Sequence, residues 1–192
     1  MMSEPTSNEL PSAVLKTEHR VILRVVDVLE RLVIRSQRGD GFEGDTFKQC
    51  VEFFRFFADA CHHAKEEELL FPALEARGIP RENGPIGCML EEHTLARGFT
   101  KAMGEALDER DRDDAGAEQR FIAAAREYIA LLRAHINKED NVLFNMGDSV
   151  LTAEDQSSLC DKFCEVSCRS FGGKKREELE RLADEVETRW PN

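Results

Sequence analysis

The sequence predicts an all-α protein, an antiparallel up-down-up-down four-helix bundle with a C-terminal helical extension. Three observations carry this prediction. Four long segments space their apolar residues at helical intervals, and short turn-rich stretches separate them. No stretch keeps strand-type alternation, and tyrosine and tryptophan occur once each. The 192 residues divide into a bundle domain at about 12–150 and an extension at 151–192.

The first helix is expected from about Ser12 to Arg35, with Ser12 as N-cap. Gly39, Asp40, Gly41 and Gly44 mark the loop after it. The second runs from about Asp45 to Arg77, stopped by Gly78 and Pro80. A turn-rich link, 80–87, leads to the third helix, about Ile86 to Glu109. The charged run 108–116 reads as an exposed connection. The fourth covers about Ala117 to Met146, with Gly147 as its breaker. In the extension, Thr152 with Asp155 three residues on is a helix start signal. Gly172-Gly173 interrupts the segment, and a charged amphipathic stretch follows from Lys174 to Arg189.

Composition sets limits on function. The chain is 41% hydrophobic and 33% charged, with a formal net charge of -12 and a pI near 5.0. That acidity argues against nucleic acid as a partner, because binding phosphates needs a dense basic surface. No apolar run is long enough to span a membrane. The stretch from Met1 to Ser12 is polar and lacks the apolar core of a secretory signal. The six cysteines are therefore expected as reduced thiols in a cytoplasm. Cys160, Cys164 and Cys168 share one helical stripe. They read first as small packing residues, with a redox pair or soft-metal site as the alternative.

An internal repeat carries the chemistry. Leu15-Lys16-Thr17-Glu18-His19 matches Met89-Leu90-Glu91-Glu92-His93, with a glutamate immediately before each histidine. The stretch His62-His63-Ala64-Lys65-Glu66-Glu67-Glu68-Leu69-Leu70-Phe71 aligns without gaps to His135-Ile136-Asn137-Lys138-Glu139-Asp140-Asn141-Val142-Leu143-Phe144. The unit "EH … HxxKE(E/D)xxLF" thus occurs twice. Residues i and i+4 of a helix share a face, so each HxxxE pair offers an imidazole nitrogen and a carboxylate to one point. Two facing hairpins would bring His19, His62, His93 and His135 together with Glu66 and Glu139. That donor set suits a pair of first-row transition metals, because imidazole favours them and a carboxylate can bridge two ions.

His63 and Glu67 form a second HxxxE pair, and apolar residues flank both registers. The repeat selects His62 and Glu66. Adjacent residues on an α-helix diverge by about 100°, so His63 is expected off the metal face, as a flanking or outer residue. Glu18 and Glu92, adjacent to ligands, are for the same reason expected to be poor outer partners. The apolar lining is expected from Phe53, Phe54, Phe56, Phe57, Leu69, Leu70, Tyr128, Leu131, Leu132, Val142 and Leu143.

On Glu18-His19, His62 to Pro72 (HHAKEEELLFP), Glu92-His93 and His135 to Phe144 (HINKEDNVLF), the sequence resembles the hemerythrin-like family, the HHE cation-binding domains. The resemblance covers about 12–150. It implies a non-haem centre of two iron ions, oxo- or hydroxo-bridged. His19, His62, His93 and His135 would be its terminal ligands, and Glu66 and Glu139 its bridges. Oxygen-carrying members have an HxxxH pair on the third helix, where this chain has His93-Thr94-Leu95-Ala96-Arg97. Arg97 in place of an imidazole shifts the expectation from carrier toward reactive or sensing iron. Arg97 reads either as a surface residue or as a partner of a carboxylate or anion.

The resulting functional reading is a protein that binds or senses oxygen, nitric oxide or peroxide, or handles iron. The alternatives are an enzyme that turns over peroxide or nitric oxide or aids iron–sulfur repair, and a structural zinc domain. The expected partners are a small diatomic ligand or peroxide, with no nucleic acid and no membrane. A homodimer or a separate signalling partner is expected for a sensor.

Overall fold

The computed structural model of the chain describes residues 10–112 and 114–191. Most of the polar stretch that argued against a secretory signal, 1–9, lies outside them. The described residues form six helical rods, with no strand beyond an isolated bridge between Phe171 and Lys174.

Helix α1 (Pro11–Gln37) opens on proline, whose missing N–H is no loss in a first turn. Ser12 therefore lies inside the helix and is not the expected N-cap. Its hydroxyl donates to Asp148 Oδ2 at 2.9 Å. Helix α2 spans 44–76 in consecutive segments. Gly44–Phe53 and Phe71–Ala76 are α-helical, while Phe54–His63 and Glu66–Leu70 have wider i→i+5 turns. Helix α3 is Pro85–Arg110. Helix α4 spans 117–150, α-helical over Ala117–Lys138 and Phe144–Val150, with a wide-turn stretch at Glu139–Leu143.

Gly147 does not break α4. A Cβ at this position would come 3.0 Å from the Leu74 side chain, so the glycine lets α4 approach α2 closely. Helix α5 (Ala153–Ser167) starts at the expected Thr152–Asp155 capping box. Helix α6 (Arg176–Arg189) is the last helix among the described residues.

Helix α3 packs along α4, α1 packs against α2 and α4, and α2 packs against α3. Helix α6 lies on α1 and α2, where it buries Leu179, Leu182, Ala183 and Val186. Each large side chain so buried contributes roughly 1.5–3 kcal/mol. Arg24 donates to Asp184 at 2.7 Å and Arg31 to the Trp190 carbonyl at 2.6 Å, which ties α6 to α1. Helix α5 rests on α1 and on the wide-turn part of α2, with Leu159, Phe163 and Val166 inward. Cys164 and Cys168 are exposed and Cys160 is half-buried, so the stripe faces away from the core that the packing reading expected. No disulfide joins any two of the six cysteines. No helix among the described residues is long and apolar enough to cross a membrane.

The link before α6 is a tight turn, Phe171-Gly172-Gly173-Lys174, closed by backbone hydrogen bonds of 2.8 and 3.0 Å. Gly172 has φ +58, and a Cβ on it would fall 2.3 Å from the Phe56 ring. Gly173 has φ +83 but open space around it. Gly172→Ala is therefore expected to destabilise the protein by about 1–3 kcal/mol through overpacking. Gly173→Ala should cost only the left-handed backbone penalty of about 1 kcal/mol. Thermal melting of the two variants checks the order, and equal losses would discount the Phe56 contact.

Candidate metal centre

Two apolar clusters fill the interior, and every expected ligand lies between them in sequence along its helix. On α1, His19 stands between Leu15 of one cluster and Ile22 of the other. On α2, His62 and Glu66 stand between Cys61 and Leu70. On α3, His93 stands between Met89 and Ala96, and on α4, His135 and Glu139 stand between Leu132 and Leu143. The result is a fully buried polar layer with an apolar floor and roof. Val142, expected in the lining, is 53% exposed. In its wide-turn stretch, Glu139 and Leu143 face inward instead.

The structure brings all six expected residues together in two groups that share Glu66. One group is His19, His62, Glu66 and Glu139. The other is His63, Glu66, His93 and His135, with ligand atoms in each group within 4.8 Å of one another. His63 therefore does not sit off the face. It is buried, and its ring stacks on His93 with centroids 3.8 Å apart. The 100° argument assumed a regular α-helix. His62 and His63 close the wide-turn stretch Phe54–His63, where successive residues rotate less, so both rings reach the interior.

Each of the five imidazoles has a carboxylate on its Nδ1. His62 Nδ1 lies 3.0 Å from Glu18 Oε2, and His135 Nδ1 lies 2.9 Å from Glu92 Oε2. His19 Nδ1 is 2.7 Å from Asp140 and His93 Nδ1 is 2.7 Å from Glu67. His63 Nδ1 has Asp59 at 3.4 Å. A neutral ring with its proton on Nδ1 would hold that carboxylate and present Nε2 to the interior, the arrangement typical of metal-bound histidine. Glu18 and Glu92 are thus outer partners after all. They point away from the histidine next to them in sequence and toward one on the neighbouring helix. Lys65 pairs with Glu18, and Lys138 with Glu92.

The polar positions around the central glutamates that the two halves share each have a partner. The glutamate of "EH" and the lysine hold the second histidine of the same half. The acid after the central glutamate holds the "EH" histidine of the other half.

Inside the layer several polar atoms lack hydrogen-bond partners. His19 Nε2 and His135 Nε2 approach Glu139 Oε2 at 3.3 and 3.2 Å, and His62 Nε2 and His93 Nε2 approach Glu66 at 3.5 and 3.4 Å. Neither oxygen of Glu66 or of Glu139 has a hydrogen bond, nor do the Nε2 atoms of His19 and His62. The Nε2 atoms of His93 and His135 face each other at 3.1 Å.

Burial, then the charge of Glu139, pushes the Glu66 carboxyl well above the carboxylate range. Burial opposes ionisation of Glu139 as well, but His135 and His19 outweigh it and hold Glu139 well below that range. Orphaned buried acceptors of this kind are costly unless a cation completes them. The donor set, imidazole nitrogens with two carboxylates of which Glu66 is common to both groups, fits first-row divalent or trivalent ions.

Residues 10–146 match the sequence profile of the hemerythrin HHE cation binding domain. The chain belongs to this family. It is also similar to uncharacterized proteins of Mycobacterium bovis and Mycobacterium tuberculosis, each 26% identical over 165 residues. These matches cover 82% of the chain and 61% of each relative, so the chain spans less than two thirds of their length. No solved structure matches the chain significantly.

In this hemerythrin-family chain, Arg97 is neither isolated at the surface nor directed at a ligand. It donates to Asp59 and to Glu67, both at 2.7 Å, the carboxylates behind His63 and His93. A cleft of about 190 Å³ opens beside it, lined in part by Asp59, His63, Arg97, Thr100 and Tyr128. Tyr128, expected as core, is buried against Phe54.

Proposed function

We propose that the protein is a non-haem di-iron protein that binds or senses oxygen, nitric oxide or peroxide. His19 and His62 would hold one ion, and His63, His93 and His135 the other, with Glu66 and Glu139 shared, inside an up-down-up-down bundle formed by about 12–150. Such a pair of ions, when bound, would supply a redox-active centre with room for a small ligand. The observation that carries this reading is the orientation of the rings. All five histidines place Nδ1 on a carboxylate and turn toward two buried glutamates that have no other partner.

The protein supplies the rest. The apolar layers on both sides exclude bulk water, and the outer carboxylates fix the imidazole tautomers. His63 adds a fifth imidazole that the third helix does not provide. The His19–His62 ion is then the poorer in nitrogen ligands, and so the better place for a small molecule. The cleft over His63 and Arg97 offers a polar route inward. A reducing cytoplasm suits a chain whose six cysteines form no disulfide.

Anaerobic purification followed by elemental analysis is expected to give two irons per chain. The absorbance of the iron pair in the near ultraviolet should change reversibly with the small ligand. His62→Ala is expected to lose at least one iron. A colourless zinc protein, or a single ion per chain, would sink the di-iron reading.

A further inference from the structure

The two halves of the repeat are alike in sequence but not in their surroundings. In the second half, Glu92 is held by Lys138 and His135. Its side chain is 15% exposed, and that of Lys138 is 39% exposed. In the first half, Glu18 and Lys65 are both at 0%. The cover is α6, beyond the 10–146 family match. Its first residue, Arg176, brings Nη2 to 3.5 Å from Glu18 Oε1, the oxygen that Lys65 also holds. The other oxygen, Oε2, faces His62. No arginine reaches Glu92 among the described residues.

We infer that the segment beyond the family domain makes the two metal subsites unequal, with Arg176 a positioning residue for the His19–His62 subsite through Glu18. This rests on the metal reading above. The physical argument has three steps. A carboxylate with no exposure to water needs cations to remain an acceptor. Lys65 and Arg176 on Oε1 fix which oxygen faces His62, and therefore the angle at which its ring meets the ion. Helix α6 also excludes water from this pair, which strengthens both contacts in the low local dielectric.

Glu92 works through one lysine at a wetter position, so water screens its contact with His135 more. The extension therefore acts on a subsite to which it contributes no ligand. Arg176 also meets Glu180 at 3.0 Å within its own helix, a contact that a purely structural role would use.

The test is chelator-driven metal release from the two-metal protein, with iron-57 Mössbauer spectra of the same samples. Wild-type release is expected in two phases. Arg176→Met should speed one phase by about threefold to tenfold, below the 10–100-fold typical of removing an outer partner itself. It should also shift one of the two Mössbauer doublets. Arg176→Lys should restore both readings, and Lys138→Met should speed the other phase. Glu180→Gln, which removes only the intrahelical partner, should leave release unchanged.

Two bound metals with unaltered release in Arg176→Met would overturn the inference alone. So would equal acceleration of both phases, since that reports a looser fold. A wild-type protein that binds no metal would overturn the metal reading and this inference with it.

Discussion

Glu66→Gln is expected to hold fewer than one metal ion per chain, yet its metal-free form is expected to melt above metal-free wild type. The two effects have opposite signs because Glu66 does opposite things in the two states. With metal, it would be the carboxylate common to both candidate ligand groups, so its loss would remove a charged ligand from each ion. That loss should exceed the 10–100-fold affinity change typical of outer partners. Without metal, Glu66 is a buried carboxyl with no hydrogen bond on either oxygen, crowded by the charge of Glu139. An amide of the same shape needs no proton taken up on folding, as a carboxyl held well above the carboxylate range does, and it can donate to Glu139. The gain should be about 1–3 kcal/mol, the usual scale for relieving a buried unsatisfied group. Melting curves with and without chelator, alongside elemental analysis, read both effects. Two metals retained, or a lower melting point in both states, would contradict the assignment of Glu66 to a shared ligand position.

The repeat made the candidate ligand layer legible. HxxxE occurring twice, with matched EH pairs, named His19, His62, Glu66, His93, His135 and Glu139, and the structure gathers all six. The same alignment held more than was read from it. The glutamate before each first histidine, the lysine and the second acid recur because each holds a partner across a helix interface. Treating them only as neighbours in one helix hid the Glu18–His62 and Glu92–His135 pairs.

His63 escaped for a different reason. Its counterpart in the second half is Ile136, so the repeat counted against it. The signal available was the ambiguity itself, since apolar residues flanking two adjacent registers are what a wide turn produces. Ser12 and Gly147 were misread because a local rule met a tertiary demand. Pro11 took over the helix start, and Leu74 needed space beside Gly147. The docking of α6 on α1 and α2 was not legible, because an amphipathic stretch does not name the surface that it covers.

Lys65→Met tests that cover from the side of stability. Lys65 and Glu18 form an ion pair with neither side chain reaching water. Breaking a buried pair from one side typically costs 3–5 kcal/mol, because the remaining charge is stranded. Arg176 still faces Glu18 Oε1 in this variant, so the cost should fall near the lower end, about 3 kcal/mol. The matched change in the other half, Lys138→Met, breaks a pair that is already partly in water and should cost about 0–1 kcal/mol. Urea denaturation of metal-free protein compares the two directly. Adding Glu18→Gln to Lys65→Met should recover much of the loss, since the stranded charge is then gone, and the coupling measures the pair free of the new methionine's own packing. Similar costs in the two halves would mean that α6 shields nothing. A large difference would place the asymmetry in the cover that α6 provides, because the lysine–glutamate–histidine set is the same in both halves while α6 and its Arg176 meet only Glu18.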